Sequence, residues 1–177
     1  RVKRGHASTS DFSAQAIRET VAAAVEIARH TAEDDCAGLP DAELLAKHTP
    51  DLDLFHPWAV TPEAAIEIAQ RCESAGLAVS KKIKNSEGAS VSAQHAQFVL
   101  ANSLGFLSGY ATSRHSLSCA LIAEDQGLMQ RDDWYSSARV ASALADPTRL
   151  GRYAAERALS RLGARKIKTC QAPVLFE

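Results

Sequence analysis

The sequence predicts an α+β fold, an antiparallel β-meander with helices packed on the sheet as a two-layer sandwich. Three observations carry that expectation. Gly-ended polar quartets, Asn85-Ser86-Glu87-Gly88, Asn102-Ser103-Leu104-Gly105 and Glu124-Asp125-Gln126-Gly127, separate segments that read as strands. Asn side chains bond to nearby backbone, and a closing Gly supplies the left-handed conformation that a reversing chain needs. His115, Leu117, Cys119 and Leu121 alternate with Ser116, Ser118 and Ala120, the period of two that gives a strand one core face and one small, polar face. Helical stretches flank the strands instead of alternating with them, which argues against a doubly wound parallel sheet.

The elements follow in order. Val2-Lys3-Arg4 is strand-like. Ser10 or Asp11 can cap a helix running to about His30, whose apolar stripe Ile17, Val21, Ala24, Val25 and Ala28 lies opposite Arg18, Glu19, Glu26 and Arg29, as suits a helix on a sheet. Residues 31–61 hold Gly38, Pro40, Pro50 and Pro57 and read as a long surface connection, with a short helix over Asp41–Lys47. Thr61-Pro62-Glu63 opens a second helix, which reaches about Gly76: Thr caps, Pro sits where its missing N–H costs nothing, and the acid suits the dipole. Four strands are expected over Val79–Lys84, Ala89–Ala101, Phe106–Ala123 and Leu128–Ser137. A third helix starts at Asp146-Pro147 and stops at Gly163, and Lys166–Cys170 and Pro173–Phe176 read as closing strands. The whole, residues 1–177, reads as a single α+β region. Its last apolar segment looks unfinished, so the chain is read as part of a longer protein.

At 177 residues one domain can bury roughly 70% of its unfolded surface without disulfides. Cys36, Cys72, Cys119 and Cys170 form no CxxC pair and read as reduced, mostly buried thiols. Twenty Lys and Arg against twenty-one Asp and Glu give a net charge of −1, so no overall field favours nucleic acid or an anionic membrane. No apolar run approaches the roughly 20 residues of a membrane span, and the first residues lack a signal-peptide core. A cytoplasmic location is the simplest expectation.

The catalytic inventory is thin. Neither HExxH nor HExxxH occurs, and GxSxG, GxGxxG and the P-loop pattern are absent. His48 and His56, with Asp51 and Asp53 between them, sit in a proline-bearing loop, which suits hydrogen bonding better than metal ligation. His115-Ser116 and Ser92 with His95 are the nearest Ser/His pairs, and alternation sets Ser92 and His95 on opposite faces. A self-sufficient hydrolase using His95 or His115 is the weakest reading. No catalytic residue and no metal ligand is assigned. Asp132, Asp133, Trp134 and Tyr135 are candidate contacts for a partner or peptide, because acids beside polar-tipped aromatics grip basic groups well; the plainer alternative packs Trp134 inward and pairs the acids locally. Trp58, after His56-Pro57, is expected to fold its loop onto the core.

Read together, Gly5-His6-Ala7-Ser8-Thr9-Ser10-Asp11-Phe12-Ser13, Thr31-Ala32-Glu33-Asp34-Asp35-Cys36-Ala37-Gly38-Leu39, Asn85-Ser86-Glu87-Gly88-Ala89-Ser90-Val91-Ser92 and Arg131-Asp132-Asp133-Trp134-Tyr135 resemble the TldD/PmbA family, in particular its PmbA-type (TldE-type) chains. That family carries the label modulator of DNA gyrase. The resemblance runs over nearly the whole chain, ending with the Gly151-Arg152-Tyr153 helix. It implies an amino-terminal to central portion, with a carboxy-terminal domain outside these residues. It also implies a share in a cytoplasmic zinc-dependent peptidase in which a TldD-type subunit pairs with a PmbA-type one to process peptide precursors and degrade unfolded polypeptides. In the family the HExxxH motif and its zinc belong to TldD-type chains, so no ligand or catalytic residue transfers here. A non-enzymatic adaptor that binds polypeptide by strand addition through sheet edges and the Asp132–Tyr135 cluster is the alternative. The gyrase label finds no basic patch to support direct nucleic-acid contact.

Overall fold

The computed structural model describes residues 2–176, which fall into two compact units divided between Thr49 and Pro50. In the first, strand β1 (Val2–Lys3) pairs antiparallel with β2 (Glu33–Asp34) around helix α1 (Ala14–His30). Ser13 caps α1 by accepting from the Ala16 N–H. The cap therefore sits three residues beyond Ser10 and two beyond Asp11, the two candidates expected, because the Asp11 carboxylate is spent accepting from the Ser13 N–H at 2.8 Å. Gly5 lies against the α1 backbone at Ala24 and Ala28, where a Cβ would collide. The Lys3 ammonium and the Thr31 hydroxyl tie the chain together through the Arg29 and Arg4 carbonyls. The stripe of Ile17, Val21 and Val25 stays about half exposed.

In the second unit, a three-stranded antiparallel sheet in the order β3-β4-β5 is formed by β3 (Ile83–Ala101), β4 (Leu107–Asp125) and β5 (Leu128–Ala138). Helices α2 (Pro62–Leu77) and α3 (Pro147–Ser160) pack on one face. Thr61 and Asp146 cap them as the sequence predicts, each followed by Pro at the first position. The core is Cys72, Ile83, Leu117, Cys119, Leu121, Ala123, Leu150, Ala154, Ala155 and Ala158. Where α2 crosses α3, a Cβ on Gly76 would meet the Gly151 carbonyl at 2.7 Å, and one on Gly151 would run into the Cys72 carbonyl. Backbone meets backbone there, which only glycine permits.

Two of the three quartets reverse the chain. Gln126 and Gly127, with φ of 50° and 77°, form a two-residue hairpin closed by the Asp125–Leu128 pair, the double positive φ of a type I′ turn. Asn102 accepts from the Leu104 and Phe106 N–H groups to hold the other. The first, Asn85–Gly88, does not reverse the chain. Register shifts between Ile83 and Asn85 and between Ser86 and Gly88 mark it as a bulge inside one 19-residue strand. The Ser86 hydroxyl accepts from the Gly88 N–H and donates to the Ala120 carbonyl, bridging the irregular ladder. The expected four strands are therefore three. Residues 166–170 and 173–176 are not strands either: apolar alternation alone makes no ladder without a neighbouring strand. The short helix expected over Asp41–Lys47 contracts to one 3₁₀ turn, Ala42–Leu44. No helix among the described residues is long and apolar enough to cross a membrane.

Candidate functional site

Strand alternation divides the acidic–aromatic run between two faces. Pairing of Leu121 with Asp132 and of Cys119 with Trp134 puts these two on the helix side. There the Trp134 ring meets Tyr153 edge-on at 4.9 Å, and the Arg157 guanidinium stacks over it at 4.9 Å. Asp132, 14% exposed, lies 3.4 Å from Arg157 and 3.5 Å from Arg161. Burial works against its charge, but the Asp133 N–H and the two guanidiniums prevail and hold its carboxyl below the usual range. Asp133 and Tyr135 point to the other face, over Ala120 and Ser118. Asp133 binds Arg131, which also binds Glu87, and Tyr135 is 61% exposed. The run is thus two half-sites back to back, one a brace for α3 and one open among Ser90, Ser92, Ser116 and Ser118.

A second polar cluster forms where the loop before α2 returns to the sheet, and sequence spacing gave no warning of it. Past the end of β5, the Ser113 N–H donates to the Leu54 carbonyl at 3.0 Å. The Ser113 hydroxyl accepts from the His56 N–H at 2.9 Å and donates to the Arg139 carbonyl at 2.9 Å. His115 is fully buried, and its Nε2 donates to the His56 carbonyl at 2.9 Å. His95 Nε2 accepts from the Trp58 N–H at 3.1 Å. The rings close over one another edge-on: Trp58 with His115 at 5.4 Å, His95 with His115 at 5.8 Å, Phe55 with His95 at 5.8 Å. Trp58 folds its loop down as the sequence predicts. What the sequence leaves unread is that its floor is two strand histidines from opposite arms of one hairpin.

These histidines do not fit a metal. His56 Nε2 is held by the Asp53 carbonyl at 2.9 Å, and the Nε2 atoms of His95 and His115 are engaged by separate backbone groups. The remaining buried nitrogen, His115 Nδ1, has no hydrogen-bond partner among the described residues. No group of three or more His, Cys, Asp or Glu there is placed to hold an ion. Cys72 and Cys119 are buried in contact; the hydrogen bond with Cys119, then burial, pushes the Cys72 thiol up. A cleft of about 230 Å³ lies between Trp58, Ile68, Arg71, Val91, Leu117 and Leu144. The carboxylate at its edge, Asp146, is committed to capping α3 through the Arg149 N–H at 3.0 Å. Chemically, the polar groups brace backbone, and among the described residues of these clusters no nucleophile is paired with a base.

Fold and side chains together define a helix-backed β-meander domain whose polar clusters serve its own architecture. A family model described as the PmbA/TldA metallopeptidase central domain matches residues 55–162, and the chain belongs to the PmbA/TldD family. It is 50% identical over 174 residues to the metalloprotease PmbA of Escherichia coli, covering 98% of this chain and 39% of that protein. A metalloprotease PmbA homolog of Haemophilus influenzae is 39% identical, again over 98% and 39%. The chain thus spans 39% of the length of these relatives. Among solved structures, a proposed modulator of DNA gyrase from Bacteroides thetaiotaomicron superposes with a TM-score of 0.80 at 23% identity, over 94% of this chain and 38% of that one. TldE from Thermococcus kodakarensis gives 0.62 at 14% identity, over 88% and 34%. At such identities these two likenesses establish the fold alone.

Proposed function

We propose that this chain is the structural, partner-binding portion of a TldD/PmbA-type zinc metallopeptidase of the cytoplasm, non-catalytic in itself. It builds part of the wall of a peptide chamber and joins a TldD-type subunit, which brings the zinc. The substrates of the assembled enzyme are peptide precursors and unfolded polypeptides, without direct contact to nucleic acid. The reading treats residues 1–177 as one α+β region, with the carboxy-terminal domain of the longer relatives beyond it. Of the acidic–aromatic residues, Asp133 and Tyr135 on the open face are the contacts offered to a partner or peptide, and Asp132 and Trp134 stiffen the strand behind them. One observation carries the proposal: the chain matches metalloproteases over 98% of its length, while His56, His95 and His115 spend their Nε2 atoms on backbone groups.

The test measures zinc content and peptidase activity for the purified chain alone and after mixing with a purified TldD-type chain. The expected result is no zinc and no turnover alone, and a heteromer of fixed stoichiometry on mixing. Metal-dependent turnover by this chain alone would reject the proposal. The adaptor reading draws support from the long open edge of β3. It requires diverse unfolded polypeptides to bind without the TldD-type chain, so the same binding assay separates the two.

A further inference from the structure

We propose that Arg114 and Arg139 form, with Tyr135 and Ser137, a carboxylate-binding cleft on the open face of the sheet, which takes a carboxylate of a polypeptide, at its end or on an acidic side chain. Ser116 with Ser137 and His115 with Ala138 are the last pairs of the β4–β5 ladder. Alternation brings Arg114 and Arg139 to the same face as Tyr135 and Ser137, one step past the final pair. A cleft of about 450 Å³ opens there, lined by Ser113, Arg114, Tyr135, Ser137, Ala138 and Arg139. Both guanidiniums are held by neutral oxygens. Arg114 Nε donates to the Ser137 hydroxyl at 3.0 Å. Arg139 Nη1 donates to the Thr112 hydroxyl and, at 3.4 Å, to the Ser113 carbonyl, while the Arg139 carbonyl accepts from the buried Ser113 hydroxyl at 2.9 Å and so anchors the backbone. Among the described residues neither guanidinium meets a carboxylate.

The charge imbalance is written into the sequence. No Asp or Glu occurs from Gly88 to Ala123 or from Trp134 to Ala145, so the strands around the cleft have none to offer. Asp133 lies roughly 13 Å before Ser137 along β5, at about 3.3 Å per residue, and is bound to Arg131. Asp53, in the adjoining loop, is turned to His56 at 3.4 Å. Two cations in one cleft repel each other, and an anion between them relieves the repulsion. The planar fork of a guanidinium matches a carboxylate through two parallel hydrogen bonds, and the terminal nitrogens of Arg114 supply such a fork. Tyr135, 61% exposed, adds a phenolic donor. One anionic group suits a cleft of this size, whereas a nucleic-acid backbone needs a longer run of cations. Gln94 and Ser92, opposite Arg114 and Ser116 on the same face, offer amide and hydroxyl groups to neighbouring peptide units. That the carboxylate belongs to a polypeptide rests on the function proposed above; that the bound group is a carboxylate rests on the cleft.

Heteronuclear NMR on the chain, titrated with a short Ala-Ser peptide, tests it. With a free carboxy terminus the peptide should shift the Arg114 Nε–H signal and the amides of Tyr135, Ser137 and Arg139. Amidated, it should shift none of them; amidated but with an internal Glu, it should shift them again. The binding should weaken as salt rises. Arg114→Gln, which keeps a donor for Ser137, should raise the Kd for the free-acid peptide at least about tenfold with an unchanged circular dichroism spectrum. Arg139→Gln should do the same, and if it loosens the end of β5 the Arg114 variant decides alone. The preference for acid over amide should persist in the longer protein joined to its TldD-type subunit. Because the titration needs no turnover, missing peptidase activity would count against the function proposed above and not against the cleft. Equal binding of acid and amidated peptides, shifts confined to other residues, binding of a phosphoserine peptide alone, or a Kd indifferent to Arg114→Gln would overturn the inference. So would loss of binding in the longer protein, whose remaining portion would then fill the cleft.

Discussion

At the scale of single residues, the buried His115 is the group whose loss should be felt most widely. His115→Phe keeps a ring of similar volume beneath Trp58 but leaves the His56 carbonyl without its donor. That bond is part-buried, so its loss should cost about 1 kcal/mol, the low end for an unpartnered carbonyl, read as a lowered urea midpoint, and hydrogen exchange at residues 54–58 should quicken more than in the helices. Asp132 gives a prediction with a sign. Its folded pKa lies below the unfolded value, so its contribution is present above the unfolded pKa of about 3.9 and fades as pH falls through the lower, folded one. Asp132→Asn should destabilise by about 1 kcal/mol at neutral pH and flatten the acid limb of a stability–pH curve below pH 4. Thiol labelling should separate the cysteines in the same way as burial does. Cys36 and Cys170 are exposed, Cys72 and Cys119 buried, so a maleimide should take two equivalents from native protein and four from unfolded protein.

At the scale of elements, the helix crossing is the least tolerant point. Gly151→Ala pushes a methyl group into the Cys72 carbonyl, and because the obstacle is backbone, α2 and α3 must separate. The expected loss is about 1–3 kcal/mol of overpacking strain, read as a lowered melting temperature, whereas Ala at Gly163, beyond the crossing, affects only a helix end. How far sequence foretold the elements depends on whether their signals are local. Thr61-Pro62 and Asp146-Pro147 were legible because a cap and a first-turn proline act within a few residues. Asn85–Gly88 misleads because a side chain bonded to backbone and a Gly at φ 108° serve a bulge as well as a reversal. The deciding fact, that residues on both sides of it pair with the same strand β4, is long-range. The same limit hid the histidine cluster: alternation places His95 and His115 on one face, but only the fold of the 54–58 loop supplies their partners. Alternation did foretell that Ser92 and His95 would part, and applied to residues 132–135 it divides an apparent patch into a brace and an exposed pair.

At the scale of the molecule, stability is unevenly distributed. Every buried apolar side chain of the core lies between Cys72 and Ala158, and the brace that pins the preceding loop begins at Leu54. Among the described residues the first unit has no core of that kind: α1 contains no buried residue and its stripe is half exposed. An amphipathic helix draws most of its stability from what covers its apolar face, and a unit of that size without a core is marginal alone. Residues 50–177 expressed by themselves should therefore unfold cooperatively, with a urea midpoint close to that of the whole chain. Residues 1–49 by themselves should give the circular dichroism of a largely unfolded peptide, with helix induced only by trifluoroethanol. A substantial drop in the midpoint of the 50–177 piece would show that the first unit contributes to the core of the second, and a cooperative transition in the 1–49 peptide would show that local bonds such as those from Lys3 and Thr31 suffice to hold a fold without buried apolar surface.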